Sequence, residues 1–193
     1  MAANAGIVTF QIPGSGLEMY RSSGSGTLRL WTGAVDFAGP SVLNGTWYCA
    51  LITKPTGTST VRWHLYDYNT GLWSHSDGAS IANITPTSST WLGIYLGSSE
   101  WFPGNIQIAA VWNSDFNDAA IEALRLPSNY TSWINAAPVE GWLLDKSETI
   151  LSFGITGTSD ETARVGTTLA SDSPPGWIPN DFYTPPVFRS RGG

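Results

Sequence analysis

Apolar and polar residues alternate with a period of two along the first half of the chain, which is the pattern of half-buried strands. Val8, Phe10 and Ile12 share one face of an expected strand over 7–12, closed by the turn Pro13-Gly14-Ser15-Gly16. A second strand is expected over 17–21, a Gly/Ser turn over 22–26, and a third strand over 27–31 with Leu28 and Leu30 on one side. Val35-Asp36-Phe37 suggests a fourth, ended by Gly39-Pro40. After the turn signal Asn44-Gly45-Thr46, the strand over 47–53 places Trp47, Cys49 and Leu51 on one face. The next strand, over 60–67, points Val61, Trp63 and Leu65 inward and Arg62, His64 and Tyr66 outward. The loop 68–71 then leads to a short strand over 72–75, and 81–90 reads as a polar linker or edge strand.

The stretch 91–124 concentrates the remaining signals: strand, polar loop, strand, helix. Ile106, Ile108, Ala110 and Trp112 fall on one face of the second of these strands. The period then changes from two to 3.6. Asn117 suits an N-cap, Asp118 sits where the helix dipole favours an anion, and Phe116 precedes the cap as in a hydrophobic staple with Ile121. Leu124 extends the apolar stripe and Pro127 stops the helix.

Composition narrows the class. The 193 residues suit one domain, and only 12% are charged while 12% are aromatic, including ten Trp. A disordered chain is poor in aromatics, so this one folds. A net charge of -6 leaves nothing to neutralise phosphates in series, which argues against nucleic acid. The single cysteine, Cys49, excludes an internal disulfide and a zinc ribbon. No apolar run reaches the ~20 residues of a membrane span. The opening M-A-A-N-A-G-I-V-T-F has no basic region ahead of its apolar part and does not read as a signal peptide. The expectation is therefore work inside the cell, or export by another route such as inside a virus particle.

Two segments carry a resemblance. Leu92-Gly93, Phe102, Gly104, Ile106, Val111, Trp112, Asn113, Phe116, Asn117, Asp118, Ile121 and Leu124 resemble the closing segment of laminin-G-like, concanavalin-A-like jelly rolls, and the turn Asn44-Gly45-Thr46 with the strand over 47–53 resembles their central "Gly-x-Trp-Tyr-x-hydrophobic-Ala" strand. That family often has Glu where this chain has Ala120, so a capping box is incomplete here. Further on, Trp142-Leu143-Leu144-Asp145, Gly166-Thr167 and Pro174-Pro175-Gly176 are similar to a pattern that follows the sandwich in minor tail proteins of actinobacterial phages. The resemblance implies an all-β, concanavalin-A-like jelly-roll β-sandwich with one short helix. It implies one domain over 1–173, with 138–173 supplying a permuted closing strand, and an extended Pro/Gly-rich arm over 174–193. The function it implies is a non-enzymatic virion protein, a minor tail or tail-tip component partnered by other virion proteins and by copies of itself. Contact with host envelope glycans is a further implication. A capsid decoration protein is the alternative, and a glycoside hydrolase or lyase a weaker one.

Candidate chemistry is sparse. A retaining glycosidase needs two carboxylates roughly 5 Å apart on one strand face. The nearest acidic pairs, Asp115/Asp118 and Asp160/Glu161, are not mid-strand, and Asp118 is better explained as a helix-start residue. His75 lies among Ser74, Ser76 and Asp77, yet such neighbours are ordinary in turns and no G-x-S-x-G supports a triad. Exposed aromatics could stack on sugars while polar groups bind hydroxyls. Arg62, Tyr66, Tyr68 and Trp73 on one hairpin, with Glu100 and Trp101 in the loop 97–104, are the candidates. Burial of those aromatics against a second subunit competes with that reading. Calcium binding, which the family implies, has rim candidates in Asp67, Asp77 and Asp115, although turn chemistry explains them better. No other cofactor is expected.

Overall fold

The computed structural model describes residues 5–12, 15–33, 35–82, 90–92, 106, 108–114, 116–124, 136, 140–143 and 151–152. These form β1 (Ala5–Ile12), β2 (Ser15–Arg21), β3 (Thr27–Trp31), β4 (Asp36–Ser41), β5 (Tyr48–Thr53), β6 (Thr60–Asp67), β7 (Leu72–Ser80), β8 (Thr90–Leu92), β9 (Ile108–Val111), α1 (Asp118–Leu124), β10 (Glu140–Leu143) and β11 (Leu151–Ser152). One sheet has the order β4-β3-β2-β1-β8, a second β5-β6-β7 and a third β11-β10-β9. Every described ladder is antiparallel. The class is all-β with one short helix among the described residues, as the alternation requires.

Two strand ends differ from expectation. β4 continues through Gly39 and Pro40 to Ser41, because it is the edge of its sheet and a proline without an N–H forfeits no ladder bond there. β7 runs on to Ser80, since its polar half still pairs with β6 as far as Thr60. Composition had hidden that extension.

The large sheet and β5-β6-β7 face each other. Leu28 and Leu30 from β3 and Val61, Trp63 and Leu65 from β6 share one core with Val42. Trp63 lies flat against β4: a Cβ added at Gly39 would stand 2.6 Å from its indole. This close approach is why that position is glycine.

The opposite face of β5-β6-β7 is covered as well. Cys49, Leu51 and Tyr66 pack with Ile121 and Leu124 of α1, flanked by Tyr68, Trp73, Trp112 and Phe116. His64 and Tyr66, read from the sequence as outward, are 1% and 7% exposed. The alternation on β6 is correct, but both of its faces are interior because α1 closes the second one. The helix begins as anticipated: the Ala120 amide donates to Asn117 Oδ1 at 2.9 Å, and the Ile121 amide to the Asn117 carbonyl at 3.0 Å. Phe116 joins the cluster that holds Ile121, which is the placement a staple needs. Burial pushes the Cys49 thiol up to about 12, so it stays protonated and inert. Among the described residues no helix is long and apolar enough to cross a membrane. The arm 174–193 lies outside the described residues, as does most of 138–173.

Candidate functional site

The hairpin β6–β7 sets the geometry. Asp67 Oδ1 accepts from the amides of Asn69 and Thr70 at 2.7 and 3.3 Å, and Gly71 takes a φ of 72° that favours glycine. This fixes the register. His64 stands opposite His75, and Arg62 opposite Asp77. Both pairs lie beneath α1, from which Asp118 and Glu122 reach down.

The six side chains form one network. Arg62 donates from Nε and Nη2 to the two oxygens of Asp118 at 3.1 and 3.0 Å, and from Nη1 to Asp77 Oδ1 at 2.7 Å. This fork fixes the Asp118 carboxylate in one orientation. His64 Nδ1 lies 2.9 Å from His75 Nδ1, His64 Nε2 lies 2.8 Å from Thr53 Oγ1, and His75 Nε2 lies 3.2 Å from Glu122 Oε1. With both rings neutral, one directionality satisfies all three contacts. His75 Nε2–H donates to the carboxylate, His64 Nδ1–H donates to His75 Nδ1, and the Thr53 hydroxyl donates to His64 Nε2. Trp73 stacks on His75 with ring centroids 5.7 Å apart and planes 8° from parallel, which limits rotation of the imidazole.

Electrostatics match this burial. Desolvation, helped by the neighbouring charge of His75, pushes His64 down to about 4, so its ring is neutral near pH 7. Hydrogen bonds from Arg62 hold Asp118 below the usual carboxylate range, and Asp118 and Asp77 raise Arg62 in turn. The result is a neutral imidazole at His64 beside a committed anion at Asp118.

The sequence-level candidates are distributed otherwise. Arg62 belongs to this network rather than to a sugar platform. Tyr66 is buried and packs edge-on to Tyr68 at 4.9 Å and tilted to Trp73 at 5.4 Å. It offers no free ring face to a sugar, so the reading of this hairpin as an exposed aromatic stripe is corrected. The calcium grouping is corrected too. Asp67 pairs across the hairpin with Leu72, whereas Asp77 pairs with Arg62, which places the two acids some ~17 Å apart along the ladder. They cannot share an ion. Asp67 serves the turn and Asp77 serves Arg62. Asp115, Glu100 and Trp101 lie outside the described residues.

Sequence reasoning named His64, His75 and Asp118 singly and did not join them. A signal existed for the first two, because counting back equally from the loop 68–71 sets them opposite each other. None existed for Asp118 or Glu122, which arrive from 56 and 47 residues away. Comparison with protein-family models, curated proteins and solved structures finds no match for this chain.

Proposed function

We propose that this chain is a non-enzymatic structural component of a bacteriophage particle, a minor tail or tail-tip protein built on a concanavalin-A-like, laminin-G-like jelly roll. The support for the phage assignment is the Trp-x-Leu-Asp and Pro-Pro-Gly pattern of the last fifty residues. The support for the jelly-roll type is the path of the chain. After three strands in the facing sheet it returns as β8 to the free edge of β1, a crossing that jelly rolls repeat.

One observation carries the choice between architecture and adhesion. The aromatics of the β6–β7 hairpin are spent on packing: Tyr66 is buried, and Tyr68 and Trp73 lie against the cluster that holds α1. This favours a framework role for the described part of the chain. Its acids point the same way. Among the described residues, Asp118 and Asp77 are both tied to Arg62, so these two do not stand as a free acid and base flanking a groove.

Gold-labelled antibody on intact particles tests the proposal. Label at the tail is the expected result, label on the capsid shell transfers the chain to the decoration alternative, and particles without label overturn both. A glycan array with the isolated chain tests adhesion separately. Saturable sugar binding would restore the attachment reading, through residues other than the hairpin aromatics.

A further inference from the structure

We propose that His64, His75 and Asp118 form a binding site for a divalent transition ion of the zinc class, which pins α1 to the β6–β7 hairpin. The inference stands on donor atoms from two strands and a helix that converge on one point, and it is independent of the phage reading.

His64 Nδ1 and His75 Nδ1 are 2.9 Å apart, and Asp118 Oδ1 lies 3.7 Å from the first and 4.0 Å from the second. A circle through three such points has a radius of about 2.1 Å, which is the length of zinc bonds to imidazole nitrogen and carboxylate oxygen. An ion at its centre meets all three donors with shifts of a few tenths of an ångström.

The surrounding bonds are those a metal ligand set requires. Each ligating imidazole needs its other nitrogen anchored to an oxygen. Here His64 Nε2 faces Thr53 Oγ1 and His75 Nε2 faces Glu122 Oε1. Asp118 is oriented by Arg62, and an oxygen with two lone pairs can serve the guanidinium and an ion together. Loading needs no net loss of a proton. The proton on His64 Nδ1 moves to Nε2, the Thr53 hydroxyl turns from donor to acceptor, and both Nδ1 lone pairs then face the ion. Charge agrees as well, since Asp77, Asp118 and Glu122 outnumber Arg62.

The donor set selects the ion. Two nitrogens and one carboxylate suit zinc, cobalt or nickel, whereas calcium takes six to eight oxygens. His64 is 1% exposed, His75 16% and Asp118 44%, so the ion enters from the Asp118 side and water completes its coordination there.

Zinc alone, titrated calorimetrically into chelator-stripped full chain, tests the site. One equivalent should bind, with a rise in the unfolding temperature that calcium does not reproduce. His75→Ala, at the rim of the site, should abolish uptake. Glu122→Ala should weaken it by about 10- to 100-fold through its hold on His75. Cobalt(II) on the unaltered chain provides a readout independent of any variant's folding: visible d–d bands with the absorptivity of a low-coordinate nitrogen–oxygen site. No saturable uptake at millimolar zinc overturns the proposal. So does uptake unchanged in both His75→Ala and Asp118→Asn, or stabilisation by calcium instead of zinc.

Discussion

The two faces of the β5-β6-β7 sheet are buried by different means. The inner face is closed by another sheet around an apolar cluster, with Val61, Trp63 and Leu65 meeting Leu28 and Leu30. The outer face is closed by a seven-residue helix and is mixed: Cys49, Leu51 and Tyr66 lie beside His64, His75 and Arg62. Apolar contact has no direction, so the inner face depends on volume and shape. The outer face depends on bonds that need particular atoms in a particular register. Seven residues are too few to hold a helix on their own, and α1 is kept in place by two apolar anchors, by the Arg62–Asp118 ion pair at its first turn and by the His75–Glu122 hydrogen bond.

The contrast is broken most forcefully at Trp63. Replacing this 1%-exposed indole with Ala should cost ~3–5 kcal/mol in a denaturant melt, because a cavity opens between two sheets. A loss below 1 kcal/mol would mean that the sheets do not meet there.

Acid should act on the outer face. His64 titrates near 4 in the fold and near its ordinary 6.5 when unfolded. The unfolded chain therefore takes up a proton that the folded one refuses. The associated stability is complete above pH 6.5 and falls as the pH drops toward 4, by roughly 3 kcal/mol in total. Asp118, whose folded value is lowered, adds a loss only below the ordinary carboxylate range. Denaturation midpoints between pH 7 and 4.5 in the presence of chelator, compared with His64→Gln, isolate the first window. Identical slopes in the two proteins would remove His64 from the interior.

Gly39→Ala probes the inner face from the other side. The added methyl meets the Trp63 ring at 2.6 Å, and relief through backbone shifts should cost about 1–3 kcal/mol. Combining it with Trp63→Ala should recover part of that loss.

The smallest effect belongs to the helix start. Asn117→Ala removes the acceptor for the Ala120 amide and should lower stability by ~1 kcal/mol. An unchanged melting temperature would show that the cap contributes nothing.

Much of this was written locally in the chain. Period-two alternation located β3 and β6 to the residue, the Asn-Gly and Gly-rich turns separated the strands, and Asn117 with Phe116 marked the helix start. These features were legible because each depends on neighbours within a few positions. The extension of β7 was not, because a polar strand is held by its partner's backbone and leaves no apolar period.

What the chain alone could not disclose was which surface of β6 meets water. His64 and Tyr66 occupy the face that alternation assigned them, yet a helix more than fifty residues later covers it, and Asp118 joins the histidines only through that docking. Side-chain spacing fixes which residues share a face. Only the packing of distant elements fixes whether that face is solvent, core or a set of ligands, because long-range contacts carry no local signature.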